Sequence, residues 1–321
     1  MMEWTDRHYR YFMRLLAPHA ELYTEMVNTG AIVHGDRPRF LDFDPSEHPV
    51  VLQLGGADPR DLAESARWGA RWGYDAINLN CGCPSDRVQS GRFGACLMAE
   101  PDHVAELVSA MADASDVPVT VKCRIGIEPA PLPLRDEYER LTEFVTKVTA
   151  AGARAIVLHA RTAMLNGLSP KENREIPPLR HAFGYRLKQD FPDLPISLNG
   201  GIETLEQVRE HLKHVDGVML GRIAYHEPYR VAEIAAALNG EAAPSRHDVV
   251  EAMLPFIEQR MQAGAPLKAI TRHMLGLFQG LPGARRWRRM LSEEAHKPGA
   301  GPELVLRAAS VVPREFTAEA A

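Results

Sequence analysis

The chain has 321 residues, of which 45% are hydrophobic and 25% charged, an ordinary composition for a soluble globular protein. It contains no apolar run of about eighteen residues, and its first residues, MMEWTDRHYR, lack the apolar stretch of a signal peptide, so we expect no membrane span. Four cysteines in so long a chain are no disulfide framework, so we expect the cytoplasm. The net charge of −5 argues only weakly against a nucleic-acid partner, because a local basic patch can bind one.

Short apolar runs alternate with amphipathic stretches from residue 21 to about 220, a pattern typical of βα units around a parallel sheet. The runs are ELYTE (21–25), PVVLQL (49–54), DAINLN (75–80), VPVTVKC (117–123), ARAIVLH (153–159), PISLN (195–199) and VDGVML (215–220). An eighth strand would have to precede the helix predicted in WTDRHYRYFMRLLAP, where only Met1 and Met2 lie. We therefore predict an α/β fold, a (β/α)₈ TIM barrel with a truncated first strand.

Two helix starts are readable, at Asp58 followed by Pro59 and at Thr204 with Gln207 three residues on. The strand pattern stops after residue 221, and GEAAPSRH (240–247) has the composition of a linker. Everything from about 247 to 321 has helical periodicity. We predict two domains, a catalytic barrel over 1–240 and an all-α domain over 247–321, with the Pro-rich segment 128–137 as a surface insertion.

The apolar runs end in polar residues, and in an α/β barrel the chemistry lies at the carboxyl ends of the strands. The closing residues are Gln53, Asn80, Lys122, His159 and Asn199. Any one of them could be structural, but their recurrence at equivalent positions indicates a site. Lys122 could form a Schiff base with a carbonyl substrate or place positive charge against a cofactor ring, and the spacing does not decide between these roles.

Glycine loops follow the last two predicted strands. Asn199-Gly200-Gly201 follows one, and Gly221-Arg222 follows the other. Glycines let backbone N–H groups approach an anion, and phosphate sites in these barrels are often built from these two loops. The pattern predicts a phosphate site.

A cysteine lies in the string NLNCGCPS (78–85), between Gly82 and Pro84. We predict no metal site, because no second Cys or His cluster has zinc spacing, and no disulfide across a single residue, because it would be strained. A free thiol has a pKa of about 8.5 and is mostly protonated at neutral pH, so Cys83 is available as a proton donor. Cys96 and Cys123 lie in apolar contexts and are predicted to be structural.

These residues resemble the tRNA-dihydrouridine synthase family, in particular its bacterial A-type subfamily, which acts at positions 20 and 20a of the D-loop. The resemblance extends through the whole chain. The strings that carry it are NLNCGCPSDRVQSGRFGACLM (78–98), HARTAMLNGLSPKENREIPPL (159–179), NGGI (199–202), DGVMLGR (216–222) and RHMLGLFQGLPGARRWRR (272–289).

The resemblance implies FMN at the barrel mouth and NADPH as its reductant. Gln53, Lys122 and His159 would contact the isoalloxazine, and the ribityl phosphate would be held by Asn199, Gly200, Gly201, Gly221 and Arg222. Met1 and Met2 would be what remains of a first-strand segment whose backbone touches the flavin. Reduced FMN would give a hydride from N5 to C6 of uracil, Cys83 would protonate C5, and Asn80 would lie on the substrate side. A chain that starts at Met1 would retain FMN weakly and leave an open barrel seam.

A target base must leave its stack to reach a barrel mouth, so a surface must grip the RNA. One candidate is the long loop 161–178, with Arg161, Lys171, Asn173 and Arg174. The other is an arginine cluster around Trp287, made of Arg285, Arg286, Arg288 and Arg289. The sequence indicates no obligate protein partner.

Three alternatives stay open: a flavin-dependent dehydrogenase of free pyrimidines, a Schiff-base aldolase on the same barrel, and a non-catalytic tRNA-binding protein. The arginine-rich helical segment disfavours the enzyme of free pyrimidines.

Overall fold

The computed structural model describes residues 1–85, 88, 91–131 and 136–314; residues 132–135 of the predicted insertion therefore lie outside the description. Its strands are β1 (Leu22–Asn28), β2 (Val50–Gly55), β3 (Ala76–Cys81), β4 (Val119–Arg124), β5 (Ile127–Glu128), β6 (Ile156–His159), β7 (Ala163–Met164), β8 (Ile196–Asn199) and β9 (Gly217–Met219). Seven of them form a parallel sheet in the order β1-β2-β3-β4-β6-β8-β9, and β5 pairs with β7 in a second sheet. All seven predicted strands are confirmed.

The parallel strands and the helices between them fit a TIM-barrel-like α/β fold. Neighbouring strands are in register so that Asn80 lies beside Lys122 and His159 beside Asn199. Polar residues predicted to line a site are therefore neighbours at one edge of the sheet. Within the described ranges no backbone ladder joins β1 to β9, so the sheet is not closed into a barrel.

The two helix starts predicted from capping residues are confirmed. Asp58 accepts the backbone N–H of Arg60 at 2.8 Å, and Thr204 and Gln207 form a capping box. The helices of the described residues are Arg7–Leu16, Thr29–Val33, Arg37–Leu41, Pro59–Trp72, Pro101–Asp113, Glu137–Ala150, His181–Asp190, Leu205–His211, Arg222–His226, Pro228–Asn239, Arg246–Gln262, Leu267–Thr271, Ala284–Glu294 and Pro302–Ala309. In this part of the chain, none of the helices is both long and apolar enough to cross a bilayer.

Backbone packing divides the chain into two compact units, and the division departs from the predicted 1–240 and 247–321. The first unit holds Met1 and residues 21–221, and the second holds residues 2–20 together with 222–321. The helix Arg7–Leu16 packs on Pro228–Asn239 and Arg246–Gln262, which explains its place in the second unit. Linker composition at 240–247 could not reveal this, because the partition depends on tertiary packing.

Candidate active site

Three amide side chains of β2 and β3 form a continuous hydrogen-bonded row. Nδ2 of Asn80 donates to Oε1 of Gln53, and Nε2 of Gln53 donates to Oδ1 of Asn78, both at 2.9 Å. Nδ2 of Asn78 donates onward to Oγ1 of Thr120 at 2.9 Å. All three amides are buried, and buried amides are tolerated where they are hydrogen-bonded, as here. The row brings together predicted Gln53 and Asn80.

Asn78 was not among the predicted site residues. The alternation in DAINLN indicates it, because residues two apart on a strand point to the same face and Asn80 is predicted to face the site.

The loop that carries Cys83 is held from both sides. Oδ1 of Asn80 accepts the backbone N–H groups of Gly82 and Cys83, each at 3.0 Å. The carbonyl of Cys83 accepts the N–H of Ala95 at 2.9 Å. Gly94 has φ +78°, and a Cβ there would lie 2.6 Å from the Cys83 carbonyl oxygen. The backbone around Cys83 is therefore fixed, while Cys83 itself is partly exposed.

The other three cysteines are less suited to chemistry. Cys81 and Cys123 are buried neighbours in the β3–β4 register, and burial raises the pKa of Cys123 to about 12 and that of Cys81 well above its ordinary value. Cys96 is half-buried, its Sγ donates to the carbonyl of Phe93 at 3.2 Å, and burial raises its pKa as well. Cys83 is thus the best candidate for a proton donor.

Lys122, predicted to contact the isoalloxazine, is hydrogen-bonded to Asn199, which is predicted to hold the phosphate. Its Nζ donates to Oδ1 of Asn199 at 3.3 Å, and Nδ2 of Asn199 donates to the carbonyl of Met219 at 2.7 Å. Burial, and then the charge of Arg124, lowers the pKa of Lys122 to about 8. The side chain is therefore mainly a cation at neutral pH. A lowered pKa would also suit a Schiff-base lysine, so geometry alone does not choose between the two predicted roles.

His159 lies close to the first glycine loop, Asn199-Gly200-Gly201. Gly200 and Gly201 have φ +118° and +68°, and a Cβ on Gly200 would lie 2.8 Å from Cδ2 of His159. A Cβ on Gly201 would lie 2.5 Å from Cδ1 of Leu179. Only glycine fits both the conformation and the space. Burial, followed by the charge of Arg124, lowers the pKa of His159 well below its ordinary value, so its imidazole is neutral at neutral pH.

Arg124, which the sequence reasoning missed, is 2% exposed. Its guanidinium donates to the carbonyls of Gly82 at 3.1 Å, Asn173 at 2.9 Å and Thr162 at 3.5 Å. Burial lowers its pKa to about 10, so it remains charged at neutral pH. It ties the loop of Cys83 to the long loop 161–178. Its signal in the sequence is its position directly after the predicted strand VPVTVKC (117–123).

Asn173 requires a correction. It was predicted to contact tRNA, but it is 0% exposed. Its Oδ1 accepts the N–H of Met164 at 2.8 Å, and its Nδ2 donates to the carbonyl of Met164 at 2.9 Å. It therefore organises the loop from within.

The other predicted residues of this loop are differently placed. Arg161 donates to the carbonyls of Glu175 at 3.3 Å and of Pro177, so it also braces the loop. Lys171 and Arg174 are exposed, as a surface that contacts RNA requires.

The arginine cluster lies on the helix Ala284–Glu294 of the second unit. Trp287 is fully buried, and its Nε1 donates to the carbonyl of Met274 at 3.3 Å. Arg289 pairs with Glu293 at 3.1 Å, and Arg288 hydrogen-bonds to Gln279. Arg285 and Arg286 are exposed on the same helix.

The remaining predicted residues fall in both units. Met2 and Arg222 belong to the second unit, whereas Met1 and Gly221 belong to the first. A Cβ on Gly221 would lie 3.9 Å from Nδ2 of Asn199, so the two glycine loops converge on that amide. Contacts of Met1, Met2 and Arg222 with a cofactor stay predictions.

The family model described as dihydrouridine synthase (Dus) matches residues 1–312. The chain belongs to the dihydrouridine synthase family. Its relatives include proteins named "tRNA-dihydrouridine(20/20a) synthase". That of Shewanella oneidensis is 58% identical over 321 residues, covering 99% of this chain and 94% of its own length. The one from Xanthomonas axonopodis pv. citri is 57% identical over 308 residues, covering 96% and 91%. That of Synechocystis sp. is 56% identical over 307 residues, covering 95% and 90%.

The predicted resemblance is thereby confirmed. Membership of the dihydrouridine synthase family removes support from the aldolase alternative, which the lowered pKa of Lys122 had left open.

Proposed function

We propose that this chain is an oxidoreductase that reduces the C5=C6 bond of uridine to 5,6-dihydrouridine at positions 20 and 20a of the tRNA D-loop, with FMN as cofactor and NADPH as reductant, in the cytoplasm. The observation that carries the proposal is the partly exposed Cys83 on a loop whose backbone is held by Asn80 and, through the carbonyl of Gly82, by Arg124. The names of its relatives support the substrate and the positions.

The residues at the strand ends fit a flavin with a phosphate tail. Gly200 and Gly201 leave no room for side chains, so their backbone can come close to an anion. Lys122 supplies a positive charge to the electron-rich pyrimidine end of the flavin. Gln53 and the neutral His159 contact the isoalloxazine ring. Asn199, which holds Lys122 and lies near Gly221, connects these residues to the phosphate side, where Arg222 would add a charged donor.

When bound and reduced by NADPH, FMN supplies the hydride that C6 of the uracil accepts. Cys83 supplies the proton: its S–H bond breaks as a C–H bond forms at C5, and the thiolate is reprotonated from solvent. Asn80 holds the backbone of Cys83 and faces the substrate side, while Lys122 offsets negative charge on the flavin side. We further propose that the sheet belongs to a (β/α)₈ barrel.

We also propose that RNA contacts come from two exposed basic surfaces, in the loop 161–178 and on the helical segment 247–321. The residues are Arg161, Lys171, Arg174, Arg285, Arg286, Arg288 and Arg289. Arg161 is included for its charge, although its guanidinium also braces the loop.

The deciding experiment replaces Cys83 by Ala and uses Cys96→Ala as the matched control. Cys83→Ala should abolish dihydrouridine formation in tRNA, measured by mass spectrometry, while flavin absorbance and tRNA binding persist. Cys96→Ala should keep its turnover. Undiminished turnover in Cys83→Ala would refute the acid role, and a deletion strain with unaltered dihydrouridine at positions 20 and 20a would refute the assigned substrate.

A further inference from the structure

A histidine outside the reaction centre contacts the first glycine loop. Nε2 of His181, at the start of the helix His181–Asp190, lies 2.7 Å from the carbonyl oxygen of Gly200. A carbonyl only accepts hydrogen bonds, so Nε2 carries the proton and donates. The mechanism proposed above has no use for this histidine.

This contact sets the direction of a neighbouring donor. In a planar trans peptide, the carbonyl of one residue and the N–H of the next point to opposite sides. Fixing the Gly200 carbonyl on His181 therefore turns the Gly201 N–H away from the histidine. Two consecutive glycines with φ +118° and +68° have wide conformational freedom, so without such a contact this peptide could rotate.

The His181 ring is itself held in place. The ring of His211 packs edge-on against it, with centroids 4.5 Å apart. His211 is buried, and its Nδ1 is 2.7 Å from the hydroxyl of Tyr185, one turn along from His181 on the same helix. A ring needed only to fill space would not require a polar atom aimed at the loop, or a second hydrogen-bonded ring behind it.

We propose that His181 is a positioning residue for the phosphate of FMN: by holding the Gly200 carbonyl, it aims the Gly201 N–H at the phosphate. The inference rests on the proposed function, since it needs FMN with its phosphate at this loop. It assigns His181 no contact with the phosphate or the substrate.

The test compares FMN with riboflavin, which lacks the phosphate, by titrating flavin fluorescence against each purified variant. His181→Phe keeps an aromatic ring and loses the donor, so it should weaken FMN binding by about tenfold, equivalent to about 1.4 kcal/mol. Riboflavin affinity should change by less than about twofold. His181→Gln, which can still donate to the carbonyl, should recover most of the FMN affinity. The ³¹P signal of bound FMN should shift in His181→Phe and return in His181→Gln.

The matched control is His214→Phe. His214 stacks on Tyr185 with ring centroids 4.3 Å apart, and Phe preserves a stacking ring. Its FMN affinity should equal that of the wild type.

Equal weakening of FMN and riboflavin in His181→Phe, or no weakening, would overturn the inference. If His181→Phe does not fold, Tyr185→Phe, which releases His211, should show a smaller loss selective for FMN, and an unselective loss would count against the inference. A wild-type chain that binds neither flavin would instead overturn the proposed function.

Discussion

The side-chain oxygen of Asn80 accepts the backbone N–H of Cys83 at 3.0 Å, while its nitrogen donates to Gln53 at 2.9 Å. One buried amide therefore connects the loop of the proposed acid to the row of amides in the sheet. It fixes where the thiol can reach, and small displacements of reacting groups are costly, so this contact should matter for the rate.

Asn80→Ala should lower the rate of dihydrouridine formation by about a hundredfold with little loss of bound FMN, because Cys83 is displaced and not removed. Single-turnover reduction of tRNA by the flavin-loaded, pre-reduced enzyme measures this. Asn80→Asp, which keeps the acceptor for the Cys83 N–H, should lose less. A wild-type rate in Asn80→Ala would show that the loop holds its position without this amide.

Gly94→Ala should disturb the same loop from the other side. A Cβ at residue 94 would lie 2.4 Å from Cγ1 of Val88 and 2.6 Å from the Cys83 carbonyl oxygen, in addition to the strain of φ +78°. Gly264 is the matched control, since it has φ +91° and no atom within 4 Å of its Cβ position. Both alanine variants should lose about 1–2 kcal/mol of unfolding free energy from backbone strain.

Only Gly94→Ala should also lose turnover. Denaturant unfolding and the tRNA assay measure the two effects. Equal turnover in the two variants would remove the steric argument.

Arg124→Met should uncouple the Cys83 loop from the loop 161–178, because three carbonyls lose a charged donor. We expect a loss of about 1–3 kcal/mol in unfolding free energy and faster proteolysis within 161–178. Arg124→Lys keeps the charge but cannot reach all three carbonyls, so it should be intermediate. Proteolysis of Arg124→Met at the wild-type rate would show that the two loops are held independently.

The sequence was sufficient to predict the strands and the positions of most polar residues at their ends, because near-continuous apolar runs mark buried parallel strands. It was insufficient to predict that Arg124 and Asn173 are buried. An arginine after a strand and an asparagine in a long loop are usually exposed, and only the folded loop turns both inward. The sequence also did not predict that the helix Arg7–Leu16 belongs with the C-terminal helices, because the sequence of a helix does not identify its packing partner.

Lys122 predicts a pH dependence of stability. Its folded-state pKa is about 8, below the ordinary 10.5, chiefly because of burial. Between these values the unfolded chain holds a proton that the folded chain lacks, so raising the pH favours folding. The stability of the wild type relative to Lys122→Met should therefore rise from pH 8 to pH 10, as denaturant titrations at both values would reveal. A constant difference would place the folded pKa near its ordinary value.

The exposed arginines of the helix Ala284–Glu294 predict a salt effect on tRNA binding. Arg289 is paired with Glu293, whereas Arg285 and Arg286 are exposed and make no ion pair within the described part of the chain. Each phosphate contact releases counterions, so the Arg285→Ala, Arg286→Ala double variant should bind tRNA more weakly. The negative slope of log K against log salt should become shallower by about 1 to 2.

The control is Arg209→Ala, at an exposed position of the first unit, which removes positive charge elsewhere and should leave that slope unchanged. Filter binding at several salt concentrations provides the measurement. Equal slopes for the double variant and the wild type would contradict phosphate contacts by Arg285 and Arg286, and the RNA contacts would then have to come from the other residues proposed for them.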